Sequence, residues 1–319
     1  MVKSYLVDPV KSRILLIGSI NMDLVVNLNR MPTQGETVFG KSYAFIPGGK
    51  GANQGVAAAR LGADVCFLGK IGDDANGKKM MQVFQDDGID TSMIEIDKTA
   101  HTGLAVIPVE ADGQNRIIVI SGANMQITKK QIVQALTQTF DMILIGLEVP
   151  LEIVYETHKL ANAAGIPVVL DAGPAMGIDL KQLNGIHVIS PNETECHALT
   201  GIAVVDEASA MEAARKIACD CFPQYVVLKL GAMGAYLYAK GKGKLFAAKA
   251  VDQMVDTTAA GDCFTAALAI RLLETGDIEA AVDFANQAAS ICVGRKGAIP
   301  SLPFRRELPE NGAEPHGKF

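Results

Sequence analysis

The run Val255-Asp256-Thr257-Thr258-Ala259-Ala260-Gly261-Asp262 carries the densest chemical signal in the chain, because it leads straight into the apolar stretch Cys263 to Leu273. Small residues at the mouth of a helix leave its first N–H groups without internal partners, and the helix dipole adds partial positive charge there. Such a mouth can hold a phosphoryl group in transfer. Asp262 stands at its rim, where a carboxylate could accept the proton of an attacking hydroxyl. Phosphoryl transfer asks for little more than an in-line nucleophile, charge stabilisation and positioning. Spacing alone leaves a second reading equally open, in which Asp262 only pairs with the dipole and Gly261 only caps the helix.

Three further groups have types suited to a ligand. Asn21 and Asp23 follow the first apolar run. An amide beside a carboxylate can take several hydroxyl groups, although N-x-D after a strand is more often a plain turn. Gly48-Gly49-Lys50-Gly51-Ala52-Asn53-Gln54 opens a helical pattern, and its glycines suggest close backbone approach to a ligand. Lys50 by itself would read as a solvated surface lysine. Ser190-Pro191-Asn192-Glu193-Thr194-Glu195 lies between a strand and a helix, where Glu195 alone would be an ordinary first-turn acid.

The elements that must position these residues alternate. Short apolar runs at 14–18, 65–69, 142–146, 168–171, 188–190 and 226–230 read as strands covered on both faces. Amphipathic stretches at 52–61, 127–137, 151–164, 208–218 and 261–274 read as helices between them. That order predicts βαβ crossovers and a mostly parallel sheet. Two segments, about 23–47 and 101–122, are strand-like with no helix between their strands, and predict a small antiparallel sheet serving as a lid. Residues 1–308 read as one domain with these lid insertions, and the polar 309–319 as a flexible tail.

The bulk properties exclude several classes. With 319 residues, 49% of them hydrophobic, the chain can bury a large core, and a net charge of −6 does not suit a nucleic-acid backbone. No apolar run reaches the roughly 20 residues of a membrane span. The N-terminal MVKSYLVDPVKSR lacks the apolar core of a signal peptide. Six cysteines form no C-x-x-C pair and read as reduced core thiols, so a cytoplasmic location is expected. Gly72 to Lys79 has the G-x-x-x-x-G-K of a P-loop but lacks the Ser or Thr that holds Mg²⁺. The first strand is not followed by G-x-G-x-x-G, which argues against a dinucleotide-binding oxidoreductase. His158 reads as a packed or surface histidine.

Taken in order along the chain, Gly18-Ser19-Ile20-Asn21-Met22-Asp23, Gly48 to Gln54, Asn192 to Glu195, Ala259-Ala260-Gly261-Asp262 and Arg295-Lys296-Gly297-Ala298 with Pro300-Ser301 resemble the motifs of the ribokinase family of carbohydrate kinases. The resemblance spans about residues 13 to 308. It implies a three-layer αβα sandwich with a small β-sheet lid, and ATP, Mg²⁺ and K⁺ as cofactors. By the same resemblance, Asp262 is the catalytic base, with Ala259, Ala260 and Gly261 as its anion hole. Asn21, Asp23, Gly49, Lys50, Asn53 and Glu148 hold the sugar. Asn192, Lys229, Gly231, Gly234, Gly261 and Asn286 serve the nucleotide. Glu195 organises Mg²⁺ through water, and Asp256, Thr258, Cys292, Arg295, Gly297 and Ser301 surround a monovalent cation. The plainer alternative for that last group is a local Asp256–Arg295 ion pair.

The Asn21/Asp23 pair and Gly122-Ala123-Asn124 look most like family members acting on D-ribose at its 5-hydroxyl. Other sugars or a nucleoside, or a sugar-binding sensor without catalysis, are the alternatives. Two departures stand out. Lys229 falls where Thr is common, and Asp171-Ala172-Gly173-Pro174-Ala175 replaces N-P-A-P. Asn286 falls where a histidine often packs near adenine. The resemblance also implies a homodimer joined through its lids.

Overall fold

Alternating apolar strands and amphipathic helices build the expected layers. A computed structural model of the chain describes residues 12–308; the expected tail at 309–319 and the first eleven positions lie outside the described residues. Nine strands form the central sheet: β1 (Arg13–Ile17), β4 (Asp64–Gly72), β5 (Asp90–Asp97), β8 (Met142–Ile145), β9 (Val168–Asp171), β10 (Val188–Ser190), β11 (Tyr225–Lys229), β12 (Ala235–Ala239) and β13 (Lys242–Phe246). Their order is β13-β12-β11-β10-β9-β8-β1-β4-β5. Every neighbouring pair is parallel except β11–β12 and β12–β13, which add an antiparallel hairpin at one edge.

Side chains on successive strand residues point to opposite faces, so one strand feeds two cores. In β1, Ile14 and Leu16 join one apolar cluster while Leu15 and Ile17 join the other. The first cluster is capped by α1 (Lys50–Arg60), α2 (Ala75–Asp86), α7 (Ala260–Thr275) and α8 (Ile278–Val293). The second is capped by α3 (Lys129–Ala135), α4 (Leu151–Ala164), α5 (Glu193–Thr200) and α6 (Glu207–Cys221). Ten residues of α7 are buried, so this helix is apolar nearly all round and lies inside the molecule rather than on it. Not foreseen from the sequence are β5, the β12–β13 hairpin and α8.

The lid is a separate four-stranded sheet of order β3-β2-β6-β7, built from β2 (Asn21–Leu28), β3 (Gly40–Gly48), β6 (Gly103–Val109) and β7 (Ile118–Ile120). Its outer pairs, β2–β3 and β6–β7, are antiparallel, and the β2–β6 pair between them is parallel. Two hairpins from distant insertions therefore meet side by side. Only three residues separate the end of β1 from the start of β2, so the lid leaves the main sheet where Ser19 and Asn21 stand.

The motif-like segment at 72–79 is structural. Asp74 caps α2 by accepting from Gly77 N–H at 2.8 Å, and it also accepts from the N–H and hydroxyl of Thr102. His158 packs its Nε2 at 3.0 Å from Asn184 O.

Candidate active site

Asp262 enters the first turn of α7 as a buried carboxylate. Ala259, the residue before the helix, has φ +63, a left-handed backbone that an alanine adopts at a cost of about 1–3 kcal/mol. The turn aims the helix mouth. Ala260 N–H still meets Thr257 O at 3.2 Å, and the helical ladder begins at Cys263 N–H with Ala259 O. The N–H groups of Gly261 and Asp262 are left for an anion. Among the expected hole residues, Ala260 therefore has its N–H on a protein carbonyl.

The residues expected to hold the sugar converge on this carboxylate from α1. Asn53 Nδ2 donates to Asp262 Oδ2 at 2.8 Å, and Asn53 Oδ1 is buried with no partner among the described residues. Gly49 precedes α1 with φ +96, and a Cβ there would lie 2.7 Å from Asn21 N, so no other residue fits without displacing the Asn21 backbone. Asn21 is fixed in turn. Asn124 Nδ2 donates to its Oδ1 at 2.7 Å, and its own Nδ2 reaches Glu148 Oε2 at 3.5 Å. Ser19 donates its hydroxyl to the same Glu148 oxygen. Burial pushes the Asp23 carboxyl up to about 6, and the nearby charge of Glu148 adds to the rise.

Lys50 bridges the two halves. Its ammonium lies 3.6 Å from Glu195 Oε1. Burial would lower its pKa, but Asp171, Asp262, Glu195 and Glu148 together more than offset this and keep it firmly protonated. Burial pushes Asp262 up to about 7; Lys50 and the Asn53 hydrogen bond pull it down, and Asp171 pushes it further up. A carboxylate tuned to that range can take a proton near neutral pH and give it up again.

A cleft of about 670 Å³ opens onto the same carboxylate. Asn192, Lys229, Gly231, Gly234, Gly261 and Asn286 all line it, as do Lys50 and Asp262. Val251, Met254, Phe264, Ala289 and Val293 give it an apolar wall that a flat ring system would fit. Two of the nucleotide candidates are already engaged. Asn286 donates to Phe246 O at 3.2 Å, and Lys229 Nζ donates to Asp171 Oδ1 at 2.9 Å.

Asn192 and Glu195 form a reciprocal cap on α5: Glu195 N–H donates to Asn192 Oδ1 and Asn192 N–H to Glu195 Oε2, each at 2.8 Å. The bland reading of N-x-x-E as a helix start is therefore true as well. Glu195 Oε1 faces the Lys50 ammonium at 3.6 Å, so a metal-bound water there would share it with Lys50. Among the described residues, no group of three or more His, Cys, Asp or Glu side chains converges on a metal position.

The cation candidates gather at one loop pair. Asp256 Oδ1 accepts from Thr258, and its Oδ2 accepts from Gly297 N–H at 2.9 Å. Cys292 Sγ lies 2.9 Å from Ser301 Oγ and 3.7 Å from Thr258 O. Burial alone would raise Asp256, but the hydrogen bonds from Thr258 and Gly297 hold it below the usual carboxylate range. The Arg295 side chain is not brought in: its guanidinium pairs with Glu307, so the local Asp256–Arg295 ion pair is not formed. Sequence reasoning missed Gln54, Asp171 and Thr265, which contact the site from within. Gln54 was legible only as the last letter of a motif, and Asp171 only as a strand end and the head of a run that departs from N-P-A-P.

A profile of the pfkB family carbohydrate kinases matches residues 11–305. The chain belongs to this family. The ribokinase of Haemophilus influenzae is 40% identical over 302 residues, covering 94% of this chain and 98% of that protein. The ribokinase of Bacillus subtilis is also 40% identical, over 93% of this chain and 98% of its own length. Among solved structures, that of Arabidopsis thaliana ribokinase complexed with ribose and ATP superimposes with a TM-score of 0.84 at 35% identity, covering 93% of this chain and 96% of that one. The family assignment agrees with the motif order, and the ribokinase-like fold with the observed layers. Among the described residues, no helix is long and apolar enough to cross a membrane.

Proposed function

We propose that this kinase transfers the γ-phosphoryl group of ATP to the 5-hydroxyl of D-ribose, giving ribose 5-phosphate and ADP. One observation carries the reading: Asp262 is reached from the sugar side by Asn53 at 2.8 Å and from the other side by a cleft of nucleotide size. Asn21, Asp23, Gly49, Lys50, Asn53 and Glu148 would hold the sugar. Asp262 would take the hydroxyl proton as the oxygen attacks. The N–H groups at the mouth of α7, with Gly261 among them, and the Lys50 ammonium would stabilise the charge that grows on the phosphoryl oxygens. Asn192, Gly231, Gly234, Asn286 and Lys229 would border the nucleotide.

Mg²⁺ would be held by Glu195 through water, since this ion keeps most of its waters, with Oε1 shared with the Lys50 ammonium 3.6 Å away; when bound it supplies charge neutralisation on the phosphates. K⁺ suits the loop of Asp256, Thr258, Cys292, Gly297 and Ser301, with Arg295 contributing only backbone, because Asp256 stays ionised there and no guanidinium fills the space. The lid exposes Tyr43, Phe45, Ile118 and Ile120, an apolar face that supports pairing of two lids in a homodimer. Six free thiols, five of them buried, support a reducing cytoplasmic setting.

The test is a coupled ADP-release assay with D-ribose, 2-deoxyribose, fructose and a nucleoside, each with and without K⁺. Ribose should give the highest kcat/KM, and K⁺ should raise it. Stabilisation by ribose with no turnover on any sugar would replace the kinase by a sensor.

A further inference from the structure

Asp262 is tied to a second buried carboxylate. Gln54 Nε2 donates to Asp171 Oδ2 at 2.6 Å and reaches Asp262 Oδ1 at 3.5 Å. Asp171, at the end of β9, has no exposed surface, and its Oδ1 accepts from Lys229 Nζ at 2.9 Å. Thr265, one turn along α7 from Gly261, closes the ring. Its hydroxyl oxygen lies 3.3 Å from Lys229 Nζ, 3.3 Å from Asp171 Oδ2 and 3.0 Å from Gly261 O. The network therefore touches both the base and the backbone of the anion hole.

A buried ion pair is weak as a stabilising device, since apolar residues of similar volume often do as well. Stability does not account for this one; its place does. The pair also joins the two departures read from the sequence. Asp171 heads the run that replaces N-P-A-P, and Lys229 stands where Thr is common. Either charge alone would be buried without compensation, and together they cancel. We propose that Asp171 and Lys229 form one positioning unit that, through Gln54 and Thr265, fixes the Asp262 carboxylate against Asn53 and balances the charge around it. This rests on the reading of Asp262 as the base. The charged and titratable groups facing Asp262 are Lys50 from α1, Asp171 from β9, Lys229 from β11, Cys263 on its own helix and Cys292 from α8. Burial holds Asp171 up, but Lys229 and then Lys50 bring it below its ordinary value, so it remains an anion.

The experiment is a double-mutant cycle on the full-length enzyme, with Gln54→Met as an uncharged cut in the same network. Steady-state kinetics are read against ribose and ATP separately, from pH 5.5 to 9, beside thermal unfolding midpoints. Asp171→Asn and Lys229→Thr should each lower kcat about tenfold or more, and the double variant should regain most of that loss. The acidic limb of kcat/KM should move up in Lys229→Thr, which leaves Asp171 uncompensated beside the base, and down in Asp171→Asn. Gln54→Met should lower kcat about tenfold with little change in KM for ribose or in the unfolding midpoint. Additive losses in the cycle, or Gln54→Met at full kcat, would overturn the proposal. Should a single variant fail to fold, the double variant and Gln54→Met decide the matter. A wild-type enzyme without turnover on ribose would instead sink the kinase reading, so the two failures are distinct.

Discussion

Replacing Asp262 with Asn keeps the shape of the site and removes the proton acceptor. Turnover should fall by about 10²–10⁴, the usual contribution of a positioned base, while ribose binding by calorimetry stays within a few-fold of wild type. Full activity in that variant would remove Asp262 from the chemistry. The pH dependence follows from the same carboxyl. Its pKa is raised to about 7 by burial, so kcat/KM should fall about tenfold per pH unit below that value, as the base protonates. Stability runs the other way. A group whose folded pKa is raised contributes stability below its unfolded pKa and loses it as pH rises through the folded one. Ionised Asp262 therefore weakens the fold progressively from about pH 4 to about 7. Asp262→Asn should raise the unfolding midpoint more at pH 8 than at pH 5, and an equal shift at both would contradict the raised pKa. Asn53, Lys50 and Asp262 were all visible as letters in the sequence. Their meeting was legible only through the family resemblance, because the Asn53–Asp262 bond joins residues 209 positions apart and no local pattern carries it.

Elements differ in how plainly they announce themselves. The buried strands β1, β4 and β8 to β11 are short apolar runs, and the period of α4 and α6 is clear. β5 escaped because its faces are mixed, half-buried and exposed, with acids at Asp90, Glu95 and Asp97. α8 escaped although its amphipathic period is comparable to that of α4 and α6. Within the lid, the parallel β2–β6 pairing could not be read from either hairpin, since each is locally antiparallel. That pairing has a consequence for the sugar grip. Gly103 sits in register with Asn21, and a Cβ there would fall 2.0 Å from Asn21 Oδ1. Gly103→Ala should displace Asn21 and raise KM for ribose about tenfold or more, with KM for ATP little changed. Unchanged ribose KM would show that Asn21 does not grip the sugar. On the opposite wall, Asn192→Ala removes the cap of α5 and should cost about 1 kcal/mol of stability by denaturant titration.

For the whole molecule, the proposed pairing of two lids makes a prediction about assembly. Tyr43→Glu combined with Ile118→Lys should convert a dimer to a monomer in light scattering, and a wild-type monomer at micromolar concentration would remove the lid pairing. The cores depend on distant parts of the chain in the same way. Leu268, on α7, has no exposed surface, and Leu268→Ala should cost about 2–5 kcal/mol in equilibrium unfolding. α7 also covers α1, whose Ala52, Val56 and Ala57 are fully buried in the same cluster. These two helices are separated in sequence by most of the protein, and that has a meaning in time. At about 5–20 residues per second, the ribosome delivers α7 some ~10–40 s after α1. Throughout that interval the helix that bears Asn53 waits with its apolar side uncovered, and β1 lacks β8 as its second neighbour for a good part of it. The apolar side of α1 therefore finds its cover only when the last quarter of the chain has emerged, long after the residues it carries are made.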